Sequence, residues 1–304
     1  MAEKLELVEV SPRDGLQNEP GIVDTANKLA IIAHIEAAGF KRLEAASFVN
    51  PKKVPQMADG DAVFERIRGT DTYNDRSITH IALALNLRGV ERALAAGAKE
   101  INYVFCASDG FSIRNNGGTV EETFKVWPEV AATAKAGGAR LSATISTAFG
   151  CPFDGEVPVR RVVEVAERCV AQEIFELAIA DTIGVGAPSD VHERVRAVKG
   201  AVPASIQLRA HFHNTRNTAL ANAVAAVEGG VRVLDGSLAG IGGCPFAPGA
   251  AGNVPTEDLL YMFNRMGFDT GVDLDLAIEA AQFIGGVLGR KTPGMVSRAP
   301  KWPS

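Results

Sequence analysis

Short β-strand patterns alternate with amphipathic helix patterns along almost the whole chain. Eight short segments are predicted as strands, at 5–11, 42–48, 80–85, 100–105, 140–146, 175–181, 207–213 and 233–238. Several predicted helices are followed by a glycine that can take the left-handed conformation of a helix C-terminus, at Gly39, Gly97, Gly138, Gly200 and Gly230. Thr119 and Glu122 have the spacing of a capping box at the start of another helix. This alternation predicts parallel strands joined by right-handed crossover helices.

Eight strand–helix units favour one particular architecture. They predict an α/β fold in which the strands close into a (β/α)8 TIM barrel, and 304 residues are a suitable length for it. A doubly wound open sheet is the alternative. The sequence contains no linker, low-complexity tract or charge run that would mark a second domain. Residues 1–304 are therefore predicted to form a single barrel domain, with a short C-terminal helical extension from about residue 268.

Composition and charge exclude several classes of partner. Hydrophobic residues make up 46% of the chain and charged residues 22%, which predicts a substantial core. The formal net charge is −5 and no basic patch alternates with aromatic residues, so nucleic acid is not an expected partner. We expect no membrane span, because no apolar run is long enough. We expect no signal peptide, because the first residues contain no apolar core. The four cysteines lack C-x-x-C spacing, which predicts reduced thiols in a cytoplasmic protein: Cys106, Cys151, Cys169 and Cys244.

His211 and His213 form an H-x-H pair at the end of the seventh predicted strand. Alternate residues of a strand point to the same face, so both imidazoles would project together. Two neutral imidazoles aimed at one point make half of a site for a divalent metal. The alternative is a pair of histidines on the polar face of an edge strand.

Asp14 is the natural third ligand, because it follows the first predicted strand and strands one, seven and eight are neighbours in a closed barrel. Asn253 can add an amide oxygen from the loop after the eighth strand. Two imidazoles, a carboxylate and an amide, completed by water, suit octahedral Mg²⁺ or Mn²⁺ better than tetrahedral zinc. The alternative for Asp14 is an Asp-Gly turn residue.

Further polar residues lie at the carboxyl ends of the predicted strands, where function gathers in TIM barrels. They include Arg13, Gln17, Glu44, Ser47 and Asp181. Arg13 places a permanent cation beside Asp14, where it can neutralise an oxyanion that forms when a carbon–carbon bond breaks. A surface salt bridge is the alternative.

The segment 239–253 is too rich in glycine and proline for a helix or a strand. It lacks the spacing and the lysine of a P-loop, which disfavours a phosphate cradle. A mobile lid that brings Cys244 over the barrel mouth is the better interpretation. A thiol near a metal and an arginine can move protons, whereas the alternative is a small apolar side chain filling a turn.

Together these motifs resemble the 3-hydroxy-3-methylglutaryl-CoA (HMG-CoA) lyase family. The similarity rests on VEVSPRDGLQNEP, LEAASFVNPKKVPQMAD, ADTIGVGAP, HFHNTRNTALAN and LAGIGGCPFAPGAAGNVPTEDLLYM, and it spans about residues 5–290. The resemblance implies a TIM-barrel enzyme that uses a divalent cation to cleave HMG-CoA to acetyl-CoA and acetoacetate. Such a lyase belongs to the same superfamily as isopropylmalate and homocitrate synthases. Homodimers are common among these relatives, although no exposed apolar stripe in the sequence requires one.

The resemblance also implies roles for individual residues. Asp14, His211, His213 and Asn253 would hold the metal, as the residue patterns already suggest. Arg13 would stabilise the acetyl-CoA enolate and also contact substrate, and Cys244 would act as an acid or base on the glycine-rich loop. Glu44 and Asp181 would support the site and its proton transfers. Gln17 and Ser47 are further candidates for substrate contact.

The chain departs from the family at positions that would face the substrate. Asn214, Thr215, Arg216 and Asn217 replace the familiar Asp-Thr-Tyr-Gly, and Thr144 and Ala178 stand where relatives carry Tyr and Ser. A smaller side chain at Thr144 and a new cation at Arg216 predict substrate contacts that differ from those of HMG-CoA lyases. The alternatives are a lyase with a different 3-hydroxyacyl-CoA substrate, a Claisen synthase joining acetyl-CoA to a 2-oxo acid, and a non-catalytic metal- or CoA-binding barrel.

Overall fold

The computed structural model describes residues 2–74, 76–243 and 252–301. The strands of this part of the chain are β1 (Glu3–Lys4), β2 (Glu6–Glu9), β3 (Arg42–Ser47), β4 (Thr79–Ala84), β5 (Glu100–Cys106), β6 (Arg140–Ser146), β7 (Glu176–Asp181), β8 (Gln207–Phe212), β9 (Val233–Gly236) and β10 (Phe268–Asp269). The α-helices are α1 (Thr25–Ala37), α2 (Gly60–Ile67), α3 (Asp71–Asn74), α4 (Leu87–Ala96), α5 (Asp109–Asn115), α6 (Val120–Lys125), α7 (Trp127–Ala136), α8 (Val159–Cys169), α9 (Pro188–Ala201), α10 (Ala219–Glu228), α11 (Thr256–Arg265) and α12 (Leu274–Leu288).

Strands β2 to β9 form a closed parallel barrel in chain order. The barrel closes where β2 pairs with β9, from Glu6 opposite Val233 to Glu9 opposite Gly236. These eight strands correspond to the eight predicted segments, so the TIM-barrel prediction is confirmed and the doubly wound alternative is wrong. β1 and β10 pair outside the barrel in a short parallel sheet that the sequence pattern did not predict.

Four of the five predicted helix-ending glycines have a positive φ, at Gly39, Gly97, Gly138 and Gly230. Gly200 is the exception and its prediction was wrong, because α9 continues through it to Ala201. The chain leaves α9 at Val202 in an extended conformation, immediately before Pro203, so no left-handed residue is needed there. The capping box of Thr119 and Glu122 is present at the start of α6.

Most buried apolar side chains pack between the barrel and the surrounding helices. A second, small apolar cluster of Val8, Val10, Ile81 and Val233 is separate from that layer. The barrel also encloses charge, because side chains from β3, β5 and β7 meet. Arg42 donates to Glu176 at 2.7 Å and to Glu100 at 2.5 Å. Ion pairs thus accompany branched apolar side chains such as Val8, Ile81 and Val233 among the buried residues of the barrel strands.

The C-terminal extension consists of α12 and a short 3₁₀ turn at Val296–Arg298. α12 packs against α1 on the outside of the barrel. Among the described helices, none combines the length and apolar character needed to cross a bilayer.

Candidate active site

A cavity of about 550 Å³ opens at the carboxyl ends of the barrel strands. Its wall includes Arg13, Asp14, Glu44, His211 and His213, which the sequence assigned to one rim. Gln17 and Thr144 also line it. The structure therefore brings most of the predicted site residues together.

Asp14, His211 and His213 form a cluster with the spacing of a metal site. A ligand atom of each lies within 4.8 Å of those of the other two. Asp14 comes from a single π-helical turn, Ser11–Gly15, that follows β2, while His211 lies in β8 and His213 directly after it. The turn and the strand end thus aim one carboxylate and two imidazoles at the same point.

Asn253 completes this set with an oxygen. Its Nδ2 donates to Asp14 Oδ2 at 2.9 Å and to the carbonyl of Ile241 at 3.1 Å, which fixes the orientation of the amide. Its Oδ1 is buried and accepts no hydrogen bond from the described part of the chain. A buried, unsatisfied oxygen beside a carboxylate and two imidazoles fits a fourth ligand of a divalent cation.

Gly242 allows the backbone to approach this cluster closely. Its φ is +103°, and a Cβ there would lie 2.5 Å from Asn253 Nδ2 and 2.7 Å from the Asp14 carbonyl oxygen. Any larger residue would push the start of the glycine-rich segment away from the ligands. Cys244 lies outside the described residues, so its predicted role stays a prediction.

Asp235, on β9, orients His211. Its Oδ1 lies 2.6 Å from His211 Nδ1, which leaves Nε2 to face the cavity. The pKa of His211 is raised, because the charge and hydrogen bond of Asp235 outweigh the opposing effect of burial. A carboxylate behind a histidine is the usual means of fixing the ring of a metal ligand.

Arg13 and Glu44 form a second group of interacting residues in the site. Arg13 Nε donates to Glu44 Oε2 at 2.7 Å, and the guanidinium also pairs with Asp14. Although burial acts against the charged carboxylate, Arg13 holds the pKa of Asp14 far below its usual range. Asp14 is therefore ionised and ready to bind a cation at neutral pH.

Asn102 and Thr144 support Glu44 from below. Asn102 Nδ2 donates to Glu44 Oε1 at 2.7 Å, and Thr144 Oγ1 donates to Asn102 Oδ1 at 2.9 Å. The Thr144 hydroxyl is thus part of an internal hydrogen-bond chain as well as of the cavity wall.

Four predicted site residues are not part of the cavity wall, namely Asn253, whose contacts are given above, and Asp181, Arg216 and Ser47. Asp181 is fully buried, and its carboxylate accepts the backbone N–H groups of Val185 and Gly186, each at 2.9 Å. Burial raises its pKa against those hydrogen bonds. Arg216 donates to the carbonyl of Gly184 at 2.8 Å, and Ser47 is buried in β3. The catalytic role of Asp181 and the substrate contacts of Arg216 and Ser47 stay predictions.

Sequence reasoning missed Asp235, Arg209 and Asn102. Each is a polar residue inside a barrel strand, and all three line the cavity. A signal for Arg209 was available, because Arg209, His211 and His213 alternate along one strand and so share its inward face.

A family model, curated relatives and solved structures all match this chain over nearly its whole length. The HMGL-like family model matches residues 4–284. The mitochondrial hydroxymethylglutaryl-CoA lyase of Mus musculus is 42% identical over 98% of this chain and 90% of its own length. The (R)-citramalyl-CoA lyase of Chloroflexus aurantiacus is 41% identical over 99% of this chain and 96% of its own length. An HMG-CoA lyase structure from Acinetobacter baumannii, in complex with coenzyme A and 3-methylmalate, is 39% identical with a TM-score of 0.91, covering 97% of this chain and 95% of that chain.

Proposed function

The chain belongs to the HMGL-like family, and from that premise we propose that it cleaves 3-hydroxy-3-methylglutaryl-CoA to acetyl-CoA and acetoacetate with the help of Mg²⁺ or Mn²⁺. Its relatives are carbon–carbon lyases, and so is this protein. The observation that carries the proposal is the meeting of a Mg²⁺-type ligand set with the Arg13 guanidinium in one cavity.

The cleavage breaks the bond between C2 and C3 of the acyl group. The C3 hydroxyl loses its proton, its oxygen becomes a ketone, and the electron pair of the C2–C3 bond becomes the enolate of acetyl-CoA. A cation held by Asp14, His211, His213 and Asn253 would supply Lewis-acid polarisation of the substrate oxygens. Arg13, fixed between Asp14 and Glu44, would stabilise the charge on the enolate oxygen.

The other polar residues either face the substrate or hold neighbouring parts of the site in place. Glu44 lines the cavity and holds Arg13 in place. Asp181 anchors the loop after β7 through Val185 and Gly186, so its contribution is to position that loop and the neighbouring β8. The proton that C2 gains after cleavage would come from Cys244, as the family resemblance implies.

The outer part of the cavity suits the coenzyme A portion. Lys53 and Arg114 line it there, together with the amides of Asn50, Asn115 and Asn116. Cations and amide donors at a cavity mouth match the phosphates and the peptide-like arm of coenzyme A. An acyl-CoA enters naturally with its acyl group toward the metal ligands.

A second substrate is favoured by a specific observation. A citramalyl-CoA lyase matches this chain as closely as the HMG-CoA lyases do. (R)-Citramalyl-CoA, which is one carbon shorter in its acyl chain, is therefore the alternative substrate.

Incubating the Mn²⁺-loaded protein with HMG-CoA and with (R)-citramalyl-CoA, followed by mass spectrometry, tests the proposal. We expect acetyl-CoA with acetoacetate from the first, whereas acetyl-CoA with pyruvate from the second alone would favour the alternative. Incubation of acetyl-CoA with 2-oxo acids checks the synthase reaction. Absence of cleavage and of condensation across these substrates would refute the enzyme assignment to this site.

The family match covers most of the chain, which supports one barrel domain over residues 1–304. Cys106, Cys151 and Cys169 are free buried thiols, which supports a reducing compartment such as the cytoplasm. Light scattering of the purified protein distinguishes a monomer from the homodimer that is common among the relatives.

A further inference from the structure

Arg209 lies inside the barrel, two residues before His211 on β8, and its side chain is 1% exposed. Three buried carboxylates surround it. Nε is 3.4 Å from Asp235 Oδ2, Nη1 is 3.4 Å from Glu176 Oε1, and Nη2 is 3.9 Å from Glu44 Oε1. One guanidinium therefore attracts three acids at once, on the same strand as the candidate metal ligand His211.

Two of these acids belong to different arms of the site. Asp235 fixes the ring of His211, and we call these two residues the metal arm. Glu44 holds Arg13, and we call these two residues the enolate arm. Arg209 is the side chain that contacts the acid of each arm.

A hydrogen-bonded route joins Arg209 to the enolate arm as well. Arg209 Nη2 donates to Thr144 Oγ1 at 3.4 Å, and Thr144 passes the connection to Asn102 and then to Glu44. The Thr144 hydroxyl accepts from one neighbour and donates to the other, so its orientation is determined. A larger residue at this position would interrupt that route.

We propose that Arg209 is a positioning residue that fixes the distance and the orientation between the metal arm and the enolate arm. Its charge attracts both Asp235 and Glu44 inside the barrel, where two buried carboxylates without a cation between them would repel each other. The guanidinium presents Nε to Asp235 and Nη2 to Glu44, so one side chain reaches both acids, which a single ammonium cannot do. The role of the enolate arm rests on the proposed function, whereas the effect on metal binding does not.

Arg42 provides a matched control. It is also buried inside the barrel, and it also pairs with Glu176, at 2.7 Å. Its other acidic partners are Glu100 and Glu6, neither of which belongs to an arm of the site. Loss of the Arg42 charge therefore disturbs the same ion network without touching Asp235 or Glu44.

The test compares Arg209→Gln with Arg42→Gln by titrating Mn²⁺ alone into metal-free protein and measuring free Mn²⁺ by electron paramagnetic resonance. We expect Arg209→Gln to weaken Mn²⁺ binding by about 10–100-fold, as for other residues that orient a metal ligand. We expect Arg42→Gln to bind Mn²⁺ like the wild type, although both variants unfold at lower temperature. At saturating Mn²⁺, kcat of Arg209→Gln should still fall by roughly tenfold or more because Arg13 is misplaced.

Wild-type Mn²⁺ affinity in folded Arg209→Gln, or an equal loss in Arg42→Gln, would overturn the proposal. If Arg209→Gln does not fold, Arg209→Lys carries the test, since it keeps the charge but loses the fork. Either Mn²⁺ affinity or kcat should then fall by about tenfold, and wild-type values of both would overturn the proposal. If the wild type cleaves none of the acyl-CoA substrates, the proposed function fails while the Mn²⁺ titration still decides the metal-arm part.

Discussion

Replacing Asp235 with asparagine is expected to weaken divalent-metal binding while leaving the fold intact. Asp235 Oδ1 lies 2.6 Å from His211 Nδ1 and Oδ2 lies 3.4 Å from Arg209 Nε, so both oxygens face donors. An asparagine can accept from only one of them. If its NH₂ faces His211, the ring must place its own proton on Nε2, and it can no longer ligate the metal.

The size of this effect follows from the way in which Asp235 acts. Removing a carboxylate that orients a metal-ligating histidine typically costs about 10–100-fold in metal affinity, or about 1.4–2.8 kcal/mol. If the NH₂ of the asparagine faces Arg209 instead, His211 keeps an acceptor but Arg209 loses its ion pair. Two buried donors then oppose each other, and the lost partner typically costs about 1–3 kcal/mol. The second cost falls on stability, but in both orientations His211 loses its charged partner and becomes a weaker metal ligand.

Titration of Mn²⁺ into metal-free Asp235→Asn, followed by electron paramagnetic resonance, measures the change directly. Circular dichroism confirms that the variant is folded, and Asp269→Asn, on the short outer strand β10, serves as a control of the same chemical change far from the site. We expect weaker binding only in the first variant. Unchanged Mn²⁺ affinity in folded Asp235→Asn would refute the reasoning that the orientation of His211 depends on Asp235.

Three further outcomes are expected. Arg13→Gln should bind Mn²⁺ at least as well as the wild type but lose about 10²–10³-fold in kcat, and an equal loss of Mn²⁺ binding would contradict its assignment to the enolate. Glu9 is fully buried, which raises its pKa to about 7 from 4.5 despite hydrogen bonds from Ser11 and Leu238. The stabilisation that comes from protonated Glu9 is therefore fully present below pH 4.5. As the pH rises through 7 it is lost, and the free energy of unfolding falls by on the order of 3 kcal/mol. In urea denaturation, Glu9→Gln should lose less stability than the wild type between pH 5 and pH 8, and parallel curves would contradict this. Asp181→Asn should increase hydrogen exchange at Val185 and Gly186, whose N–H groups it accepts, and unchanged exchange would argue against the anchoring role.

Much of the fold was predictable because the repeating strand–helix unit is a local property of the sequence. Each strand is short and each crossover is right-handed, so the eight units leave few arrangements other than a barrel. The pairing of β1 with β10 was not predictable, since each strand has only two residues and gives no pattern. The prediction that Gly200 ends a helix was wrong because a glycine near a helix end indicates a left-handed residue only when the chain turns there.

The candidate ligands were predictable because their spacing has a direct geometric meaning. Asp14 follows β2, His211 and His213 lie at the end of β8, and β9 pairs with both of these strands. The charges behind them, Asp235 and Arg209, were missed because a polar residue inside a strand is ambiguous until the barrel shows which face it occupies. For the same reason, Asp181 and Arg216 were expected in the cavity, whereas their side chains bind the backbone of the loop after β7.

Acetyl-CoA release from HMG-CoA, measured while Mn²⁺ is returned to the metal-free protein, is the most direct test of a catalytic metal. We expect no release without metal, and a rise in activity that follows bound Mn²⁺ and ends at one ion per chain. Asp14→Asn, which removes the charge of one ligand, should need far more Mn²⁺ to reach its own maximum. Full acetyl-CoA release from metal-free protein, or activity that saturates independently of bound Mn²⁺, would contradict the assignment of Asp14, His211, His213 and Asn253 to a catalytic metal.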